Sequence, residues 1–65
     1  MKNITNWKEV QEIYKGVDID FCTGVLAFLR GDSEPDNTEK NMIRQGFWRA
    51  KSDRLNTKYT SIYGK

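Results

Sequence analysis

Apolar residues recur at spacings of three and four over most of the chain, the period of an α-helical face. Trp7, Val10, Tyr14 and Val17 form the first set, with Asn6 placed to cap a helix over residues 7–15 and Gly16 to stop it. A continuous or kinked passage through Gly16 into the next segment is the alternative. The second set is denser. Phe21, Gly24, Val25 and Phe28 make one stripe, and Cys22, Leu26 and Leu29 widen it beyond half the circumference of a helix over residues 19–30. Asp18 or Asp20 caps that helix and Gly31 closes it. So wide an arc exceeds what one neighbouring helix buries, and calls for two covering elements, or one element and another chain. Cys22, Leu26 and Leu29 are therefore candidate self-association residues in a homodimer. Gly24 costs about 1 kcal/mol in a helix interior, which predicts a partner helix packed closely against it.

A polar connection with the only proline, Pro35, follows. Asp36 and Glu39 have the spacing of a capping box, which predicts a third helix from about residue 37 to about residue 54. Its inward stripe is Ile43, Gly46, Phe47 and Ala50, with Met42 at the margin. From Asn56 the pattern weakens to an alternation around Tyr59, Ile62 and Tyr63, compatible with a short strand or with disorder. The expectation is a single small all-α domain over residues 1–65: a two- to three-helix antiparallel hairpin or bundle with a short irregular tail over 56–65.

Composition narrows this further. Leu, Ile, Val and Phe supply 14 of 65 residues, close to the composition at which chains stay unfolded. A domain of this size buries only about 60% of its unfolded surface, and such a core seldom yields more than ~3–5 kcal/mol. One cysteine closes no internal disulfide, so self-association or a partner is expected from size alone. The longest apolar run, residues 24–29, is far short of a membrane span, and no leader pattern opens the chain, so no membrane partner and a cytoplasmic location are expected.

Charge is unevenly spread. Residues 1–20 sum to −1 and residues 21–39 to −3, whereas residues 40–65 carry seven cations against Asp53 alone and sum to +6. A net charge of +2 thus conceals a basic C-terminal segment beside an acidic middle, which points to an anionic partner for one end. The alternative is internal neutralisation, the acidic middle pairing with the basic helix.

Catalytic chemistry finds little support. The chain has no histidine, and Cys22 sits in an apolar helix, so the usual zinc sites and a histidine-activated nucleophile are excluded. Cys22 reads as a small buried hydrophobe. Asp32, Glu34 and Asp36 resemble the start of a calcium loop, but Asn37 stands where glycine is needed and Ile43 where a bidentate glutamate is needed. No glycine-rich phosphate cradle is present. A non-enzymatic protein without cofactors is expected.

Binding chemistry is better supported. On a helical wheel Lys40, Arg44, Trp48 and Lys51 fall on one flank, away from Ile43 and Phe47, and Arg54 follows. Phe47 and Trp48, being adjacent, point about 100° apart and cannot share one core seam. If Trp48 faces outward, its indole among cations suits nucleic acid, the cations meeting phosphates and the ring stacking on an unpaired base. If instead Trp48 closes over the first helix, the cations merely solvate the surface. Lys58, Tyr59 and Tyr63 would extend the stacking surface.

Phe21-x-x-Gly24-x-x-Ala27-x-x-x-Gly31, a turn with Pro35, and Ile43-x-x-Gly46-Phe47-x-x-Ala50 resemble the pattern of the bacterial ribosome modulation factor family and its small phage- and plasmid-borne relatives. Ile43 and Phe47 stand where that family has Trp-x-x-Gly-Trp-x-x-Ala. The likeness covers about residues 20–54. It implies a compact antiparallel helical pair that binds the small ribosomal subunit near the message-exit region and promotes inactive ribosome dimers. Two departures stand out. Glu34-Pro35-Asp36 replaces the family's Cys-Pro-Tyr or Asn-Pro-Tyr, and residues 1–20 are mildly acidic where the family is strongly basic.

The expected function is a regulatory protein that engages RNA or the ribosome through Lys40, Arg44, Trp48, Lys51 and Arg54. The alternative is a phage-type inhibitor of a host or defence protein, of the anti-CRISPR or anti-restriction kind. It would act through an acidic loop with Asp32, Glu34, Asp36 and Glu39, or through the apolar second helix.

Overall fold

The computed structural model describes residues 2–62, which form three helices and a short strand pair: β1 (Lys2–Asn3), α1 (Trp7–Ile13), α2 (Ile19–Arg30), α3 (Asn41–Ser52), a 3-10 turn (Leu55–Thr57) and β2 (Tyr59–Thr60). Asn6 caps α1 as its position predicts, its side-chain oxygen accepting from the Lys8 and Glu9 amides at 2.9 and 3.2 Å. Glu9 reaches back to the Thr5 amide at 2.7 Å and the Thr5 hydroxyl at 2.9 Å. The helix ends at Ile13, before Lys15, because Tyr14 turns to an extended conformation. Gly16, at φ 74°, then makes the bend into α2, so the two helices are separate.

α2 has the predicted bounds. Asp18 occupies its N-cap position without a side-chain cap. Gly31 closes it at φ 83°, where the Gly31 amide donates to Phe28 and the Asp32 amide to Ala27, satisfying carbonyls that the helix leaves unpaired. α3 begins four residues later than the capping-box spacing predicts. The Asp36 carboxylate accepts from the Thr38 amide and hydroxyl, and the Glu39 amide donates to the Asp36 carbonyl. Asp36 therefore closes a local turn, a use of the side chain that competes with helix capping, and Lys40 opens the helix. α3 ends at Ser52, leaving Arg54 beyond it in a left-handed conformation at φ 52°.

The chain ends decide the tail, left open between a short strand and disorder, in favour of a strand. β2 pairs in parallel with β1 in the register Lys2 to Tyr59 and Asn3 to Thr60. The Lys2 amide donates to Lys58 at 3.3 Å, the Ile4 amide to Thr60 at 2.7 Å, and the Ser61 hydroxyl to the Ile4 carbonyl at 2.9 Å. Parallel strands cannot be joined by a tight turn; here the whole three-helix body is the connection. Tyr63 lies outside the described residues.

α2 is the centre of the core. Against α3 it packs through two glycines. A Cβ on Gly24 would lie 1.9 Å from the Ile43 carbonyl oxygen, and one on Gly46 would lie 2.0 Å from that of Phe21. Neither position tolerates a side chain, so the predicted close partner of Gly24 is α3 of the same chain. Phe21, Gly24, Gly46, Phe47 and Ala50 are buried at this crossing, and Phe28 meets Phe47 edge to face at 5.4 Å. The other arc of α2 is covered by Val10 of α1 and by Ile4, Leu55 and Tyr59 from the chain ends. Cys22, Leu26 and Leu29 are consequently buried at 0%, 2% and 7% exposure. This overturns their reading as self-association residues: both covering elements come from the chain itself, and these side chains offer no outward surface.

Candidate nucleic-acid interface

Because Gly46, Phe47 and Ala50 face α2, the residues one helical phase away face solvent. Phe47 is 5% exposed and its neighbour Trp48 is 49% exposed, so the indole is on the surface and does not close over α1. One turn before it, the Arg44 guanidinium carbon lies 5.6 Å from the indole centroid, a cation–π contact. Arg44 is half-buried, and its Nε is buried with no hydrogen-bond partner among the described residues. Among the described residues this guanidinium forms no ion pair, and its contact is with the indole. Lys51, one turn after Trp48, is exposed.

The other two predicted residues join less fully. Lys40 precedes the helix and directs its ammonium to Asp20 at 3.7 Å, tying the start of α3 to the first turn of α2. Arg54 lies past the end of the helix in a left-handed conformation, so the flank of Lys40, Arg44, Trp48 and Lys51 does not extend to it as helix. It is exposed, and neither it nor Lys51 forms an ion pair among the described residues.

A third cation of α3 is used internally. Arg49 donates from Nε to Asp53 at 3.1 Å and lies 5.4 Å from the Tyr14 ring centroid, while the Tyr14 hydroxyl donates to the same Asp53 oxygen at 2.6 Å. Burial, then the Asp53 carboxylate, pushes the Tyr14 hydroxyl well above its ordinary pKa. Tyr14 and then Arg49 hold the Asp53 carboxyl below the usual carboxylate range. This network engages Asp53, the only acid of residues 40–65. The i,i+4 spacing of Arg49 and Asp53 was open to sequence reading; the approach of Tyr14, 39 positions away, carries no sequence signal.

The acidic connection stays exposed at Asp32, Glu34, Asp36 and Glu39. Asp32 pairs with Arg30 of its own segment, Nε to carboxylate at 3.1 Å. Hydrogen bonds from Thr38 hold the Asp36 carboxyl low, with a smaller contribution from the charge of Arg44. Among the described residues no carboxylate of this loop forms an ion pair with a cation of α3, so the two charged regions stand side by side without neutralising each other by contact. Cys22 lies in the core, where burial pushes its thiol above the ordinary range and suppresses the thiolate. No family model, no curated protein and no solved structure matches the chain. No helix among the described residues is long and apolar enough to cross a membrane.

Proposed function

We propose that this chain is a non-catalytic regulatory binding protein of the cytoplasm that engages RNA or a ribonucleoprotein through the outer flank of α3. The observation that carries the reading is the half-exposed Trp48 stacked by Arg44, with Lys51 one turn further on. An exposed indole among cations supplies both things that flexible nucleic acid offers a protein, a base face to stack on and phosphates to neutralise. The likeness of residues 20–54 to ribosome modulation factors agrees with an RNA-bound role, although in this chain its glycines, Phe47 and Ala50 serve the α2–α3 contact.

Salt-dependent RNA binding is the test. With Lys40 and Arg49 engaged in ion pairs, Arg44, Lys51 and Arg54 remain to meet about three phosphates. At ~0.7 per phosphate, the logarithm of affinity should fall with the logarithm of salt concentration at a slope of about −2. A slope of zero, or no binding to ribosomal RNA in titration, sinks the reading.

The exposed acidic loop supports a second reading, an inhibitor that presents carboxylates to a basic site on a host or defence protein. Its form based on the apolar second helix is dropped, because the apolar arc of Cys22, Leu26 and Leu29 is buried within the chain. Replacing Arg44 and Lys51 with glutamate abolishes RNA binding on the first reading. Reversing Asp32, Glu34 and Asp36 abolishes inhibition on the second.

A further inference from the structure

We infer that the outer flank of α3 takes single-stranded RNA in preference to duplex, with one unpaired base stacked on the open side of the Trp48 indole. The inference rests on the RNA reading above and narrows it to a strand type and a contact. Trp48 is 49% exposed, while the Arg44 guanidinium carbon sits over the ring, 5.6 Å from its centroid. Backed in this way, the ring is held in place before a ligand arrives, and less side-chain freedom is lost on binding. A base can stack on it only if its own face is free. In a duplex those faces are covered by neighbouring base pairs, and the A-form major groove is too narrow and deep for side chains to read. The Trp48 platform is therefore of no use to a double helix.

Charge placement agrees. Arg44 and Lys51 lie one turn to either side of Trp48 along one face of α3, so a strand crossing the ring meets a cation before and after the stacked base. Duplex binding without base contacts relies on phosphate neutralisation alone, and the flank is poor in cations for that. Lys40 is paired with Asp20 and Arg49 with Asp53.

The test is fluorescence anisotropy of the full chain with a short labelled single-stranded RNA, and with the same strand annealed to its complement. Trp48→Ala and Trp48→Phe are measured beside the unaltered protein, with circular dichroism as the check on folding. Tighter binding to the single strand is expected. Trp48→Ala should weaken that binding by on the order of ten- to a hundredfold, the range of one lost base–aromatic stack, and Trp48→Phe by less. Binding to the duplex should barely respond to either change. Equal affinity for both forms with no effect of Trp48→Ala overturns the inference and leaves the RNA reading in place. Failure of both RNAs to bind removes the RNA reading itself and the inference with it.

Discussion

Phe47 and Trp48 are consecutive aromatic residues on one helix, and their surroundings are opposite. Phe47 is 5% exposed and lies in the crossing where Gly24 and Gly46 bring α2 and α3 together; Trp48 is 49% exposed beside Arg44. The difference arises from one step of helical phase, about 100°. The inner face is specified by shape, since neither glycine can carry even a methyl group. The outer face is specified by charge and by a ring that the fold does not consume. The residues that hold the fold and those that stay in solvent are thus separated by phase on a single helix.

That separation can be broken from the inside first. Phe47→Ala should cost about 3–5 kcal/mol, the usual range for a buried phenylalanine. That approaches the whole stability expected of so small a core, so thermal melting followed by circular dichroism should show a largely unfolded chain. Gly46→Ala places a methyl group 2.0 Å from the Phe21 carbonyl oxygen. Overpacking of this kind costs about 1–3 kcal/mol, or more where backbone must move, and should lower the melting temperature sharply. A Gly46→Ala protein as stable as the parent would show that the helices do not meet as described.

Acid and alkali probe the Tyr14–Arg49–Asp53 network, which joins the end of α1 to the end of α3. Asp53 has a folded-state pKa below its unfolded value of about 3.9, so its stabilisation is fully present above that pH and is lost as pH falls through the folded value. Asp53→Asn should flatten the acid side of the melting-temperature profile, in part only, because Glu9 and Asp36 are also held low. Tyr14 behaves in the opposite sense. Its folded-state pKa is raised, so its contribution is present below about pH 10 and declines above it, and Tyr14→Phe should reduce the alkaline loss. The smallest effect on stability belongs to Trp48→Ala. A half-exposed side chain outside the core, with one cation–π contact to lose, should change unfolding free energy by about 1 kcal/mol or less.

Much of the inner face was legible from periodicity and caps. The bounds of α2, the Asn6 cap, the Gly31 stop and the packing demand at Gly24 depend on neighbours within a helical turn or on a missing Cβ, and such signals are local. The wheel also placed Arg44, Trp48 and Lys51 together, since phase along a regular helix is computable from spacing. Errors appeared where a residue had two local uses or a distant partner. Asp36 closed a turn with Thr38 where a helix cap was expected, and delayed α3. Arg54 left the helix at a positive φ. Cys22, Leu26 and Leu29 were correctly read as needing more cover than one helix, but the identity of that cover depended on the two ends of the chain meeting.

Sequence alone determined three amphipathic helical segments, a basic final third and an aromatic pair that had to divide between core and surface, because helical period and formal charge are properties of neighbouring residues. Tertiary structure alone decided that Trp48 was the outward member, that the chain ends pair in parallel to roof α2, that Lys40 meets Asp20, and that Tyr14 reaches Asp53. Those outcomes depend on contacts between residues as far apart as Ile4 and Ser61, whose pairing is selected by the packing of the whole chain and leaves no periodic trace in either segment.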